Sequence, residues 1–177
     1  MRLFLGIPLP ADTLAALRHW RAGCGEPRGL RWIPDENLHV TAFFFGEVAE
    51  EALPNFLALI HLALRPVSAF DLAFDALVLA PRPREPRMVW ARYRRLANFQ
   101  FLCDRMADHF GQVLPGHQIR HKPVPHITLA RLRDADLASL SLQAAVPPLP
   151  ARELVLWSST LSPDGATYTP VGRYPLR

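Results

Sequence analysis

The chain spells one short pattern twice, about half its length apart. Residues 39–44 are HVTAFF and residues 126–131 are HITLAR. Each opens with histidine, a β-branched residue and threonine, and continues apolar. In a strand, residues i and i+2 share a face. His39 and Thr41 therefore point one way and Val40 the other, and the same holds for His126, Thr128 and Ile127. Two strands that each turn an imidazole and a hydroxyl outward and a branched apolar residue inward need one shared core behind them. With 177 residues the chain is long enough for one substantial core and short for two.

The order of elements supports a duplication. Arg2–Leu9 forms a strand that stops at Pro10, and Ala11–Arg21 carries Leu14, Leu17 and Trp20 at helical spacing. Gly23–Gly29 is a loop. Asn37–Phe45 is the first His-x-Thr strand, ended by Gly46. Glu50–Leu64 is a helix with Pro54 tolerated in its first turn, and Phe70–Leu79 is a strand. Pro81–Pro86 (PRPREP) is a loop with neither helix nor strand. The order then restarts: Met88–Tyr93 is a strand, and Leu96–Phe110 a helix with Leu96, Phe99, Leu102, Cys103, Met106 and Phe110 on one face. Val124–Ala130 is the second His-x-Thr strand, and Asp134–Leu142 a weak helix. Glu153–Thr160 and Thr167–Tyr174 form a hairpin turned at SPDG, residues 162–165. Alternation of strands and helices allows parallel units; the terminal hairpin requires part of the sheet to be antiparallel.

Composition narrows the partners. Half of the residues are hydrophobic and a fifth charged, which is globular. No run of about 18 apolar residues exists, so no membrane span is expected. The opening MRLFLGIPLPADT lacks the pattern of a secretion signal, and Cys24 and Cys103 form no motif, so a cytoplasmic protein with two reduced thiols is expected. A net charge of +4 favours an anionic partner. Lys122 is the only lysine, every other cation being arginine, whose fork suits phosphate. A GC-rich coding bias would account for much of that arginine, and either that bias or short stiff loops for the 18 prolines.

If a pseudo-twofold axis relates the halves, the two His/Thr faces meet across a cleft. Two imidazoles flanking one volume suit a phosphodiester: a neutral ring takes a proton from the attacking oxygen and a protonated ring gives one to the leaving oxygen. Threonine hydroxyls and Arg131 are placed to hold the phosphoryl oxygens. For a single histidine in an apolar strand, a satisfied core residue is the simpler reading; repetition of the His/Thr pair argues against it. A rival metal site would use His117, His121 and His126, but GHQIRHKPVP holds two prolines and no carboxylate or thiol. His19, His61 and His109 fall on helices at surface or half-buried positions.

These segments resemble the 2H phosphoesterase superfamily, and most closely its RNA 2′,3′-cyclic phosphodiesterase (2′-5′ RNA ligase) family. The resemblance is carried by RLFLGIPLP, RWIPDENLHVTAFFFGEV, PHITLAR and TYTPVGRYPL, in that order along nearly the whole chain. It implies a single α+β domain over residues 1–177, with two intertwined lobes whose mainly antiparallel sheets face a central cleft, helices outside. It implies His39 and His126 as the catalytic pair, Thr41, Thr128 and Arg131 on the phosphate, and Phe44 near the nucleobase. Strand alternation alone places Phe43 and Phe45, not Phe44, on the His39 face, and Arg131 opposite His126 unless the strand ends or twists near Leu129–Ala130. The implied reaction is hydrolysis of RNA 2′,3′-cyclic ends to 2′-phosphomonoesters, without metal or other cofactor, by a monomer; tRNA fragments are among the candidate RNAs. A reversible 2′-5′ ligase activity, joining such an end to a 5′-hydroxyl, is implied at the same site. Of the two rings, His126 is favoured as base and His39 as acid. A non-catalytic RNA-end binding module and a phosphoesterase for a non-RNA cyclic phosphate stay open. The chain departs from the family at Ala42, where a larger aliphatic is common, and in the residue before PHITL, where Val124 replaces a bulky or basic one.

Overall fold

A computed structural model describes residues 1–111, 123–162 and 165–177. Its strands are β1 (Arg2–Pro8), β2 (Leu30–Trp32), β3 (His39–Glu47), β4 (Phe70–Leu72), β5 (Phe74–Arg82), β6 (Glu85–Tyr93), β7 (His126–Leu132), β8 (Leu149–Ala151), β9 (Glu153–Ser162) and β10 (Gly165–Pro175). The helices are α1 (Ala11–Ala22), α2 (Leu53–Leu64) and α3 (Ala97–Phe110). The fold is α+β, and every strand pairing is antiparallel.

Eight strands form one sheet in the order β10-β9-β1-β3-β7-β6-β5, with β2 also paired to β7. At its centre β3 and β7 share a single bridge, Val40 opposite Ile127. The expected two sheets are thus the two halves of this sheet, hinged at one residue pair. The halves are interleaved in sequence: β1 and β3 associate with the C-terminal β9 and β10, while β7 associates with β2 and β5 from the first half. A small second sheet pairs β4 with β8.

Behind the sheet, α3 presents Phe99, Leu102, Cys103, Met106 and Phe110 as a buried stripe at helical spacing. Phe45, Phe56 and Phe110 meet pairwise with ring centroids 4.7–4.9 Å apart, so α2, α3 and β3 share one aromatic knot. Burying each such ring contributes about 1.5–3 kcal/mol. Helix α1 seats Leu17 and Trp20 in the core, and the Trp20 indole donates to the Ser141 carbonyl at 2.8 Å. Asp12 in its first turn and Arg21 in its last complement the helix dipole.

Four expectations change. Residues 81–86 are not a loop: β5 runs to Arg82 and β6 starts at Glu85, with Pro81 opposite Pro86. Proline cannot donate to a ladder, but β5 is the outer strand and Pro86 stands near the start of β6, where the missing donor costs least. The strand expected over 70–79 is divided into β4 and β5, which join different sheets. Residues 134–142 form no helix. Asp134 has φ +49°, and the amides of Arg133 and Asp136 donate to Gly29 and Arg28, so the backbone is committed to the loop before β2. Gly46 does not end β3: it sits inside the strand with φ +77°, a conformation glycine adopts without strain. Strands β2 and β8, three residues each, carry too short a pattern to have been expected. The helix expected from Glu50 begins as a 3₁₀ turn over Glu50–Ala52 before α2, with Pro54 in the first α turn. The hairpin of β9 and β10 forms as expected; the middle of its turn lies outside the described residues. No helix among the described residues is long and apolar enough to cross a membrane.

Candidate active site

The first six residues of β3 and of β7 have the same burial pattern: half-buried, buried, half-buried, buried, buried, exposed. Simple alternation cannot produce it, and the registers show why. Between Thr41 and Phe43 the partner strand β1 advances by one residue, from Gly6 to Leu5, so Ala42 is an extra residue in β3. Between Thr128 and Ala130 the partner β6 likewise advances by one, from Trp90 to Val89, which makes Leu129 the extra residue in β7. A bulge of this kind reverses the alternation beyond it. After each histidine and threonine, the bulge sends the following aliphatic residues into the core and returns the sixth residue to the cleft. Phe44 and Arg131 are those sixth residues, and both line the cavity. Strand twist or termination is not needed: β7 continues through Leu132.

The cavity is about 250 Å³ and is lined by His39, Thr41 and Phe44 from β3, His126, Thr128 and Arg131 from β7, Met88 and Trp90 from β6, Tyr168 from β10, and Ile33 and Asn37 from the segment between β2 and β3. All six residues expected at the site converge on it. Continuing the register one step either side of the Val40–Ile127 bridge sets His39 opposite Thr128 and His126 opposite Thr41. The two motifs are therefore related by a local twofold through that bridge.

Each imidazole is anchored the same way. Nδ1 of His39 donates to the Asn37 carbonyl at 2.7 Å, and Nδ1 of His126 donates to the Val124 carbonyl at 2.8 Å, in both cases two residues back. A carbonyl only accepts, so this bond places the Nδ1 proton and makes Nε2 the acceptor nitrogen of a neutral ring. In the neutral His39 ring, Nε2 accepts from the Thr41 hydroxyl at 3.0 Å.

The surroundings of the rings differ. His39 is half-buried among Phe4, Trp157 and Tyr168, with ring centroids 4.7, 5.5 and 5.4 Å away. Desolvation there holds it well below the ordinary histidine range, at about 4; the Asn37 carbonyl opposes that shift and the neighbouring His126 adds to it. Gly6 lies directly beneath: a Cβ there would stand 2.7 Å from the Val40 carbonyl oxygen and 3.1 Å from the Trp157 ring, so glycine admits this close approach of β1 to β3 under the His39 ring. His126 instead lies flat on Trp90, ring centroids 3.7 Å apart and planes 22° from parallel.

Trp90, Tyr168 and Asn37 are cavity residues that motif reading did not single out. Trp90 follows from pairing, being opposite Thr128 on β6. Tyr168 comes from the C-terminal hairpin, on which the sequence gives no depth cue; burial pushes its hydroxyl up, opposed by the Arg131 and Arg2 guanidinium groups nearby. The Asn37 amide donates to the Ala166 carbonyl at 2.7 Å, tying β10 to the cleft wall. His117, His121 and Lys122 lie outside the described residues. Among the described residues no three His, Cys, Asp or Glu side chains gather as a metal site requires.

Comparison with known proteins points the same way as the geometry. The sequence profile of the 2′-5′ RNA ligase superfamily matches residues 9–160. An RNA 2′,3′-cyclic phosphodiesterase of Thermus thermophilus is 31% identical, over 100% of this chain and 91% of that protein. One of Escherichia coli is also 31% identical, over 99% and 96%. Among solved structures, a Thermus thermophilus protein superposes with a TM-score of 0.86 at 30% identity, covering 100% of this chain and 98% of that one. Escherichia coli LigT in complex with 3′-AMP gives a TM-score of 0.74 at 30% identity, covering 99% and 96%. With this match over most of its length, the chain belongs to the 2′-5′ RNA ligase superfamily.

Proposed function

We propose that the protein hydrolyses RNA 2′,3′-cyclic phosphodiester ends to 2′-phosphomonoesters by two-histidine acid–base catalysis. The observation that carries this is the convergence of His39, His126, Thr41, Thr128 and Arg131 on one cavity of a size suited to a single nucleotide phosphate. Arg131 neutralises the phosphoryl charge, and the two threonine hydroxyls donate to its non-bridging oxygens.

The unequal surroundings support one assignment of roles. A general base ends its step as a cation, and the π face of Trp90 favours a cationic His126. A general acid ends its step neutral, and the desolvation of His39 by burial favours the neutral ring. His126 Nε2 takes a proton from water as the water oxygen bonds to phosphorus. The bond from phosphorus to the 3′ oxygen breaks, and that oxygen takes a proton from His39 Nε2. The negative charge of the bound phosphodiester offsets the cost of protonating His39 beforehand. The product keeps phosphate on the 2′ oxygen and a free 3′-hydroxyl. With a 5′-hydroxyl in place of water, the same steps form a 2′-5′ linkage and free the 3′-hydroxyl.

The test is turnover of an oligonucleotide with a 2′,3′-cyclic end in the presence of EDTA. A 2′-phosphate product with undiminished rate is expected; no turnover, or loss on chelation restored by one metal, overturns the reading. A cyclic substrate with sulfur at the bridging 3′ position, whose leaving group needs no proton, tests the roles. It should restore activity to His39→Ala and not to His126→Ala.

A further inference from the structure

A second concavity adjoins the active cleft and takes no part in the chemistry above. It has a volume of about 420 Å³ and is lined by Asp75, Arg92, Tyr93, Arg94, Arg95 and Val124. Its position follows from the register of β6 on β7. Trp90 is opposite Thr128 and Arg92 opposite His126, so these side chains share a face, two residues apart along β6. Trp90 lines the active cavity and Arg92 the second one, roughly 7 Å further along the strand. Val124, whose carbonyl accepts from His126 Nδ1, lines the second cavity as well. His126, which lines the active cavity, is thus tied through Nδ1 to a residue that lines the second.

The charge of this cavity is unbalanced. Asp75 is committed to Arg92 at 2.7 Å. Arg94 and Arg95 are exposed and make no ion pair among the described residues, which leaves two guanidinium groups in excess. The amide of Arg94 is fixed to the Ala73 carbonyl at 2.8 Å and that of Tyr93 to the Pro125 carbonyl at 2.9 Å, so the backbone presenting the arginines is held to the sheet. Guanidinium forks on a fixed strand end, one step from the catalytic phosphate position, suit a second phosphodiester.

We propose that Arg94 and Arg95 form a second phosphate subsite, which binds the backbone of an RNA strand one linkage away from the reacting phosphate. The proposal rests on the RNA reading given above. Two strands could supply that phosphate: the strand that bears the cyclic end, or the 5′-hydroxyl strand that replaces water in ligation.

Binding, which does not depend on turnover, tests it. The Arg94→Glu/Arg95→Glu protein and the parent are titrated with 2′-AMP and with a pentanucleotide ending in a 2′-phosphate. A 5′-hydroxyl pentanucleotide is then titrated into each protein saturated with 2′-AMP. Affinity for one of the pentanucleotides should fall at least tenfold more than affinity for 2′-AMP. Its salt dependence should become shallower by about 0.7 in log–log slope for each phosphate that the variant no longer neutralises. A weaker first pentanucleotide assigns the subsite to the cyclic-ended strand, and a weaker second one to the acceptor. Retained 2′-AMP binding shows that the variant is folded. Undiminished affinity for both pentanucleotides, or a decrease equal to that for 2′-AMP, overturns the proposal. Parent protein that binds in this way but turns over no cyclic end would instead overturn the phosphodiesterase reading.

Discussion

The two lobes offer the cleft the same backbone and different neighbours. In β3 and β7 the histidine anchors Nδ1 to a carbonyl two residues back, the threonine follows on the same face, and a bulge at the fourth position returns the sixth residue to the cavity. At that sixth position one lobe has Phe44 and the other Arg131. Around the imidazole, one lobe closes three aromatic rings on His39, and the other lays His126 flat on Trp90. Repeated local structure thus sets where two imidazoles stand, while the side chains around them set how each ring is enclosed. A symmetric frame carries two unlike imidazole environments through packing rather than through backbone geometry.

The strongest way to break this comparison is to remove each ring in turn. The proposed mechanism requires both proton transfers, so His39→Ala and His126→Ala should each lower turnover by about 10² or more. Steady-state rates on a 2′,3′-cyclic nucleotide measure this, with circular dichroism to verify folding. If one variant keeps near-parental rates, the two lobes do not share the chemistry.

The sixth positions come next. Arg131→Ala should weaken both substrate and 2′-phosphate product, because a charge-assisted hydrogen bond contributes roughly 1.5–3 kcal/mol, or about tenfold to a hundredfold in affinity. Lysine at this position should restore only part of it, lacking the bidentate fork. Calorimetric titration of a 2′-nucleotide gives the answer, and unchanged affinity would mean that the guanidinium does not clamp phosphate.

The sequence made the paired motif legible because His, Thr and a branched residue at period two have a direct structural meaning. It also made the buried stripe of α3 and the terminal hairpin legible. It hid the bulges. Ala42 and Leu129 carry no mark of an extra residue, since a bulge is a property of two strands in register and only one is visible at a time. Phe44 and Arg131 therefore point the wrong way by alternation, and their place in the cleft follows only from pairing with β1 and β6. Trp90 and Tyr168 escape motif reading for a related reason: they reach the site through sheet order, which brings β6 and β10 to the cleft from distant parts of the chain. Residues 134–142 fail as a helix because amides at their start bond to residues 28 and 29, a tertiary competition that local propensity does not contain.

The difference in ring environment has a smaller, pH-dependent consequence. His39 titrates near 4 in the folded protein and near 6.5 when unfolded. Below 6.5 the unfolded chain binds the extra proton, so stability is fully present above that pH and declines as pH falls from about 6.5 to about 4. Full conversion of the shift would exceed 3 kcal/mol at about 1.4 kcal/mol per unit, but the ring is only half-buried and screened by solvent, so about 1–2 kcal/mol is expected. Urea unfolding at pH 7 and pH 4.5 measures it against His39→Gln, whose pH dependence should be flatter by that amount. Equal slopes would mean that the aromatic setting does not disfavour the charged ring. A nuclear magnetic resonance titration should also show the His39 midpoint rising when 2′-phosphate product is bound.

The smallest effect separates the two sixth positions by ligand. Phe44 is 53% exposed, and its ring lies 5.7 Å from Phe4, which in turn packs on His39. An exposed ring beside the reacting phosphate has no hydrogen bond to offer but has a face on which a base can stack. Stacking of a base on an aromatic side chain contributes about 1–3 kcal/mol, and the open face at Phe44 argues for the lower end. Phe44→Ala should therefore weaken a 2′-nucleotide by about fivefold and leave the affinity for inorganic phosphate unchanged, whereas Arg131→Ala should weaken both. Phe44→Trp should retain or improve nucleotide binding, since a larger π face replaces the smaller one. Competitive inhibition of cyclic nucleotide turnover by 2′-AMP and by phosphate, measured on both alanine variants, tests the division. If Phe44→Ala loses phosphate as readily as nucleotide, the ring supports the shape of the cleft rather than the base, and the two lobes differ less in how they hold ligand than their sixth residues suggest.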